Sequence, residues 1–488
     1  MDRLSYRTLR DIAPRAALPP AAALEAEIGI VHLGLGAFHR AHQAILTQRA
    51  LEAAPGPWAV CGASLRGAAV RDALRPQDCL YTLIENDGVA ERASVVAAVR
   101  EALFAPEEAA ALLARLTARA TRIVTLTVTE KGYGHHPATG EIDFAQPDIR
   151  ADVDGGGTPR STLGWLVRGL AQRRAARAGG LTVLCCDNMA SNGRILHHLV
   201  RQFAGQVDRD LASWIDDEVR FPSSMVDRIV PAATAASLDH ASALIGLRDE
   251  AAVSAEAFVQ WVVEDDFAAG RPAWEAAGAE LVRDVRPYQD LKLRLLNGAH
   301  SAIAYLGALL GKPHVADVMA EPGLAGFVER LMRQDIAPLT TAPPGFVVEG
   351  YVRDLLRRFA NRSLQHRTLQ IAMDGSQKIP VRWLPVLREA RRRGKPVPHL
   401  VTALAMWFRF LLGRDEAGRE LPLDDPLAGR LRALAAPLAD DPAALVEVVL
   451  AVEEIFGSDL PGDAGLVDEL KVALTRIVRD GARAALPA

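Results

Sequence analysis

Cysteine is scarce in this sequence: of 488 residues only Cys61, Cys79, Cys185 and Cys186 carry a thiol. None forms a CxxC pair, and adjacent Cys185 and Cys186 point to opposite sides of any strand that holds them. That argues against a disulfide framework and for small buried apolar side chains in a reducing cytoplasm. An excess of one charge is also missing. With 56 Lys and Arg against 60 Asp and Glu, the formal net charge is −4. No basic field therefore calls for nucleic acid or an anionic membrane surface. No run of about 20 apolar residues is present to span a membrane. The N-terminus, Met1-Asp2-Arg3-Leu4-Ser5, lacks the basic start and apolar core of a secretory signal, so a cytoplasmic protein is expected. No repeat recurs at a fixed period.

What is there is ordinary globular composition, half apolar, in a chain long enough for two domains. Ile28 to Leu33, Trp58 to Leu65, Arg122 to Val128 and Leu181 to Cys186 are apolar runs rich in β-branched residues, separated by helix-like stretches. Such an alternation predicts βαβ units and a parallel sheet, whose strands read as continuous apolar runs. Asp152 to Thr158 (DVDGGGT) reads as a flexible loop inside this half. From about Pro287 the chain changes. Ala302 to Leu310, Tyr351 to Phe359 and Leu400 to Leu412 show helical spacing, punctuated by Pro and Gly. The expected fold is α/β over residues 1–285 followed by an all-α domain over residues 286–488.

Three motifs can carry chemistry. Gly34-Leu35-Gly36-Ala37-Phe38-His39 follows an apolar run and precedes Arg40-Ala41-His42-Gln43, a candidate helix start. A glycine turn there can bring backbone amides close to a pyrophosphate. The third glycine of the usual pattern is replaced by His39, and a tight turn without a ligand is the alternative. Dinucleotide sites of this kind often carry an acid after the second strand. Here that strand ends Ala63-Ser64-Leu65-Arg66. Arg66 is able to pair with a 2′-phosphate, so NAD against NADP stays open on these residues alone.

The second motif is Lys292-Leu-Arg-Leu-Leu-Asn297-Gly-Ala-His300. On a continuous α-helix, Asn297 and His300 lie about 60° apart and Lys292 about 80° from His300. A desolvated lysine can serve as a general base, and an amide NH₂ can donate to a developing alkoxide. The competing reading is an exposed lysine on an amphipathic helix, with a break at Asn297-Gly298. The third motif, Cys186-Asp187-Asn188, ends an apolar run, where ligands bind in open α/β sheets. Asp and Asn also serve as helix N-caps, which is the alternative there. Metal chemistry has no support. The pairs His135-His136 and His197-His198 are adjacent rather than four apart, and the acidic run Glu264-Asp265-Asp266 has no matching histidine.

Taken together the chain resembles the mannitol dehydrogenase family of polyol-specific long-chain dehydrogenases. The resemblance rests on GLGAFHRAHQ (34–43), VTEKGY (128–133), CDNMASNG (186–193), MVDRIVP (225–231), EAFVQWVVEDDF (256–267), GRPAWE (270–275) and KLRLLNGAHSAIAYLG (292–307). It implies a Rossmann-type dinucleotide-binding domain, a helical substrate domain, and zinc-independent hydride transfer at a secondary alcohol or ketone. It implies Lys292 as general acid/base, Asn188 and Asn297 as oxyanion donors, His300 as a substrate contact that helps hold the lysine, and Asp227 as a supporting acid. The two amides then place the site at the cleft between the domains. Gly34, Gly36, Phe38, His39 and Arg66 are the expected cofactor residues.

Where mannitol dehydrogenases carry arginine and histidine, this chain has Gln370 and Met373. The segment Gln370-Ile-Ala-Met373-Asp374-Gly-Ser-Gln-Lys378 looks like the fructuronate reductase (D-mannonate oxidoreductase) branch, and Lys131 points the same way. An ammonium from Lys131 or Lys378 favours a carboxylate over an uncharged polyol. Relatives often have glutamate where Gln289 stands. Gln289 cannot titrate, so the proton leaves the lysine by water or another route. The Arg66 region resembles members that use NAD, which is the favoured cofactor, with NADP not excluded. The family tends toward monomers. The expected partner is a small sugar acid or polyol. Rival readings are a mannitol or arabinitol dehydrogenase, a tagaturonate reductase, and a non-catalytic NADH-binding regulator.

Overall fold

Each of the four apolar runs of the first half becomes a strand of one sheet. Its strands are β1 (Ile28–Leu33), β2 (Ala59–Ser64), β3 (Val99–Phe104), β4 (Ile123–Leu126) and β5 (Thr182–Cys185). In the computed structural model they lie in the order β3-β2-β1-β4-β5, with every neighbouring pair parallel. The structure describes residues 1–136 and 140–487, and of Glu130 and Lys131 the backbone only. Strands β2 and β4 are buried along their whole length, as a sheet covered on both faces requires. Strand β3 was not legible as an apolar run because it is an edge strand, and Arg100 and Glu101 stay half-buried in it. The order reverses between β1 and β4, which opens a crevice at their carboxyl ends.

The chain divides into two compact units, Met1–Arg286 and Pro287–Ala488. Unit one also holds two smaller sheets that the sequence pattern did not reveal. One orders Ala16–Ala17, Glu91–Val96, Tyr81–Asn86 and Val253–Glu256. The other orders Glu280–Val282, Gln260–Glu264 and Ser224–Asp227. Asp227 thus ends a strand and is buried. Its neighbour Arg228, buried to the guanidinium, donates to the Glu256 and Ala41 carbonyls and pairs with Glu85.

Two local readings are corrected. The helix after the glycine turn begins at Ala37, not Arg40: α1 (Ala37–Ala41) breaks at His42, with φ −126° and ψ −87°, before α2 (Gln43–Ala53) resumes. Nor is Asp152 part of a loose loop, since Pro147–Val153 is helical and Asp152 is buried. Its carboxylate is needed there as an acceptor. It takes the N–H groups of Arg160 at 2.9 Å and Ser161 at 2.8 Å, and the Ser161 hydroxyl at 2.6 Å. The chain after β5 continues into α3 (Asn192–Val207).

Unit two is built of helices around α4 (Gly298–Leu309), in which every residue is buried. A helix apolar on all sides belongs at the centre of a core. Around it pack Thr368–Ala372, Val315–Met319 and, further along, α5 (Gly375–Arg382) and α6 (Pro398–Phe410). Gly307 makes the closest of these approaches possible, because a Cβ there would sit 2.7 Å from Thr368 Cγ2. The expected helices near 302–310, 351–359 and 400–412 are all present, as Gly298–Leu309, Val348–Phe359 and Pro398–Phe410.

Burial also fixes protonation in unit one. His32, on β1, hydrogen-bonds to the Thr125 and Thr127 hydroxyls at 2.8 and 3.0 Å, and burial drives its pKa down to about 3. The unfolded imidazole titrates near its ordinary value of 6.5. Below that pH the unfolded chain therefore takes up a proton that the folded chain refuses, and stability falls with pH. At pH 5 His32 alone should remove about 2 kcal/mol. Urea unfolding at pH 7.5 and pH 5 should show at least that loss, and His32→Gln should lose less by the same amount. Equal stability of the wild type at both pH values would contradict this assignment.

Candidate active site

At the crevice of unit one, Gly34 has φ +98°, and a Cβ there would lie 2.2 Å from the Thr127 carbonyl oxygen. Only glycine lets β1 pass that close to the end of β4. Gly36 is different. Its backbone is extended, and the nearest atom to a Cβ is 3.6 Å away. His39, at the place of the third glycine, is buried and stacks on His32 with ring centroids 3.6 Å apart. Burial, followed by His32, Arg40 and His42, holds its pKa well below the ordinary value, so it packs as a neutral ring. Phe38 stacks on His42.

A cavity of about 600 Å³ opens beside Gly34. Leu35, Ser64, Arg66, Thr127, Val128 and Arg160 are among the residues lining it. Of the five predicted cofactor residues, Gly34 and Arg66 lie on its wall, whereas Gly36, Phe38 and His39 do not. Ser64 and Thr127 were missed by sequence reasoning. Only their places at the ends of β2 and β4 could have indicated them. The Ser64 hydroxyl is buried with no hydrogen-bond partner among the described residues. A cradle that a Cβ would fill, an orphaned hydroxyl and a cavity of this size fit a dinucleotide.

Asp187 joins the two loops at this edge. Its carboxylate accepts the Val128 N–H at 3.2 Å, the Thr129 N–H at 2.8 Å and the Tyr133 hydroxyl at 2.5 Å. Burial pushes its pKa up. Thr129 sits at φ +68°, so its strained backbone is held by Asp187. The capping alternative for Asp187-Asn188 does not hold: α3 begins at Asn192 with Ser191 at the N-cap. Asn188 is exposed just beyond the strand end. The backbone of Lys131 lies in a short helical turn, Glu130–Tyr133, while its side chain lies outside the described residues.

In unit two the lysine segment is not a plain α-helix. Arg286–Leu291 is α-helical, Lys292–Asn297 is a π turn, and α4 follows without a break. The Gly298 N–H reaches back to the Leu293 carbonyl, five residues earlier. Winding of that kind brings residues five apart onto one face, and π turns inside α-helices are frequent at functional sites. It corrects the angles expected for an ideal α-helix, since Lys292 and Asn297 are five apart. Lys292, Asn297 and His300 are all buried. The solvated-lysine reading and the break at Asn297-Gly298 are therefore both excluded. Gln289, one turn earlier, is buried too.

Two donors or acceptors of this set lack partners among the described residues: Asn297 Nδ2 and His300 Nε2. The His300 ring lies 4.6 Å from Phe359 and edge-on to His366 at 5.2 Å. Burial holds His300 neutral, reinforced by His366, Arg382, Arg358 and Lys292. His366 is likewise shifted down by burial and by Lys378, and its buried Nδ1 has no partner. Lys378, on α5, donates to the Ile371 carbonyl at 3.1 Å, and burial with Arg382 lowers its pKa to about 8. Burial lowers Arg382 to about 10. Neither cation pairs with a carboxylate among the described residues. His366 and Arg382 were missed by sequence reasoning. A lone histidine carries no signal, but Arg382 stands four residues after Lys378 on one helix face. No group of three metal-ligating side chains is gathered among the described residues, and no helix is long and apolar enough to cross a membrane.

Residues 28–276 match the family model described as the mannitol dehydrogenase Rossmann domain, and residues 284–478 match the mannitol dehydrogenase C-terminal domain. The D-mannonate oxidoreductase of Escherichia coli K12 is 39% identical over 461 residues, covering 94% of each chain. A mannitol 2-dehydrogenase of Aspergillus terreus is 39% identical over 467 residues, covering 94% of this chain and 92% of the relative. The solved structure of Pseudomonas fluorescens mannitol 2-dehydrogenase, a ternary complex with NAD and D-mannitol, aligns with a TM-score of 0.87 at 34% identity. It covers 99% of this chain and 98% of that one.

Gly34→Ala should cost about 2–3 kcal/mol of stability through its clash and its positive φ. It should weaken dinucleotide binding far more than Gly36→Ala does. Denaturant melts and NADH fluorescence titrations check both. Equal binding by the two variants would remove Gly34 from the site.

Proposed function

Because the chain belongs to the mannitol dehydrogenase family, we propose that it is an NAD-dependent oxidoreductase interconverting D-fructuronate and D-mannonate, with Lys292 as acid/base. One observation carries this reading. The buried Lys292, Asn297 and His300 stand near two half-buried cations, Lys378 and Arg382, neither in a salt bridge with a described carboxylate, while Asp374, Asp424 and Asp425 lie near enough to Lys378 to offset part of its loss of basicity. A half-buried cation that holds no salt bridge is able to pair with an anionic ligand. A sugar acid supplies that anion and a polyol does not.

The dinucleotide would be held by Gly34, Ser64, Arg66 and Thr127. When bound, the nicotinamide exchanges a hydride with the carbon that bears the substrate oxygen. The chain's own residues manage that oxygen and its proton. Lys292 donates the proton to the developing alkoxide in reduction and removes it in oxidation. The Asn297 amide, without a partner among the described residues, donates to the same oxygen, with Asn188 as a second amide donor. His300 is neutral, so it serves as a hydrogen-bonding group rather than a competing acid. Asp227 is the supporting acid and Lys131 a further cation for the substrate carboxylate. Gln289 cannot accept the proton, which leaves Lys292 by water.

Equal identity to a D-mannonate oxidoreductase and a mannitol 2-dehydrogenase leaves a polyol as the second reading. A panel of mannonate, tagaturonate, mannitol and arabinitol with NAD and NADP, followed by NADH absorbance, separates them. Higher kcat/KM for a polyol than for mannonate would sink the sugar-acid assignment. Lys292→Ala should lower kcat by about 10³-fold or more while NADH still binds. Retained turnover would remove the lysine from its role. A wild type that binds NADH but turns over nothing in the panel would point to a regulator.

Lys378 gives a pH test. It is cationic below about pH 8 and loses its charge above it. The ratio of kcat/KM for mannonate to that for mannitol cancels the pH dependence the two reactions share. That ratio should fall as pH rises through about 8. In Lys378→Met it should be low and flat. A ratio unchanged by pH in the wild type would count against Lys378 as the carboxylate anchor.

A further inference from the structure

The π turn at Lys292–Asn297 lies between two α-helical segments, Arg286–Leu291 and α4. A π turn is rare and is found mostly as a single bulge inside an α-helix. Nothing in its own residues, Lys-Leu-Arg-Leu-Leu-Asn, favours it over the α-helix on either side. A second π turn lies at Leu331–Ile336 of the same unit, and the one at Lys292–Asn297 carries donors from another helix at its exit. Arg382, the last residue of α5, donates to the Asn297 carbonyl at 3.0 Å and to the Ser301 hydroxyl at 2.9 Å. The next residue, Trp383, donates its indole N–H to the Gly298 carbonyl at 3.0 Å. Two consecutive residues thus hold two consecutive carbonyls, at the point where the π turn gives way to the α-helix. Trp383 is fully buried, and its ring packs edge-on against Tyr305. Arg382, half-buried, turns its guanidinium on two neutral oxygens rather than on a carboxylate.

We infer that Arg382 and Trp383 form a clamp that fixes the π turn, and are thereby positioning residues that keep Lys292 and Asn297 on one face. This rests on the reading of Lys292 as acid/base and Asn297 as donor to the alkoxide. The clamp touches neither reacting group. It acts on the backbone that carries them.

A double-mutant cycle separates positioning from simple helix docking. Trp383→Phe keeps the aromatic packing and removes one donor. It should lower kcat about tenfold or more while leaving KM for NADH unchanged, as small misplacements of catalytic groups do. It should also displace the limb of the kcat/KM–pH profile that reports Lys292. Asn297→Ala should lower kcat further, and in that background Trp383→Phe should slow turnover by a smaller factor than it does in the wild type, since the clamp then acts through Lys292 alone. Multiplied effects in the double variant, or wild-type kcat and pH profile in Trp383→Phe, would overturn the clamp. If Asn297→Ala turns over at the wild-type rate, the role of Asn297 falls. The clamp then stands or falls on the displaced pH limb. Should Trp383→Phe not fold, Arg382→Lys, which keeps the charge but loses the reach to both oxygens, is put through the same comparisons.

Discussion

A turn of helix wound one residue too wide, at Lys292–Asn297, governs the candidate site of unit two. Lys292 and Asn297 are five residues apart, a spacing that an α-helix spreads around its circumference and a π turn gathers. Once the turn is wide, the lysine and the amide share a face, and His300 follows on the first turn of α4. The rest of the unit serves that arrangement. Helix α4 is buried on every side, so it cannot rotate to place the set elsewhere. The end of α5 and Trp383 take hold of the carbonyls at the exit.

Charge is arranged around this set in a consistent sense. His300 and His366 are held neutral by burial and by the cations beside them. Lys378 and Arg382 keep their charge at neutral pH but are pulled down from their ordinary values by the same burial. The result is a set of neutral hydrogen-bonding groups beside two cations, with Asp374, Asp424 and Asp425 near Lys378. Its unpartnered atoms, Asn297 Nδ2, His300 Nε2 and His366 Nδ1, are polar groups that a protein interior does not leave unsatisfied without a ligand to meet them. Such a set of unmet polar atoms suits an oxygen-rich ligand.

Unit one is governed by a different constraint, the close approach of β1 to the end of β4. Gly34 permits it through its missing side chain, and the Thr127 carbonyl occupies the space where a Cβ would be. Asp187 then ties the loop after β4 to the turn after β5, taking two backbone N–H groups and the Tyr133 hydroxyl. His39 shows how a familiar pattern can be altered without losing its purpose. The third glycine usually lets helix and strand pack closely, and here a histidine stacked on His32 fills that contact.

Much of this was legible in the sequence because it is local. Continuous apolar runs marked four of the five parallel strands, helical spacing marked the second half, and ordered motifs picked out Gly34, which lines the cavity, and Lys292, Asn297 and His300, which are buried. The strand interrupted by Arg100 and Glu101, Val99–Phe104, and the two small sheets escaped, since edge strands and non-local pairings leave no period to read. The π turn escaped for a similar reason. KLRLLN has the residue preferences of an α-helix, and only packing against Arg382 and Trp383, some 85 residues away in sequence, accompanies its wider winding. His366 and Ser64 carry no signal until the fold leaves their polar atoms buried and unmet. Sequence alone determined which chemical groups the protein owns and which local elements carry them. Tertiary structure decided which of those groups are desolvated, which are neutral and which face together, because burial and long-range contact set protonation and register.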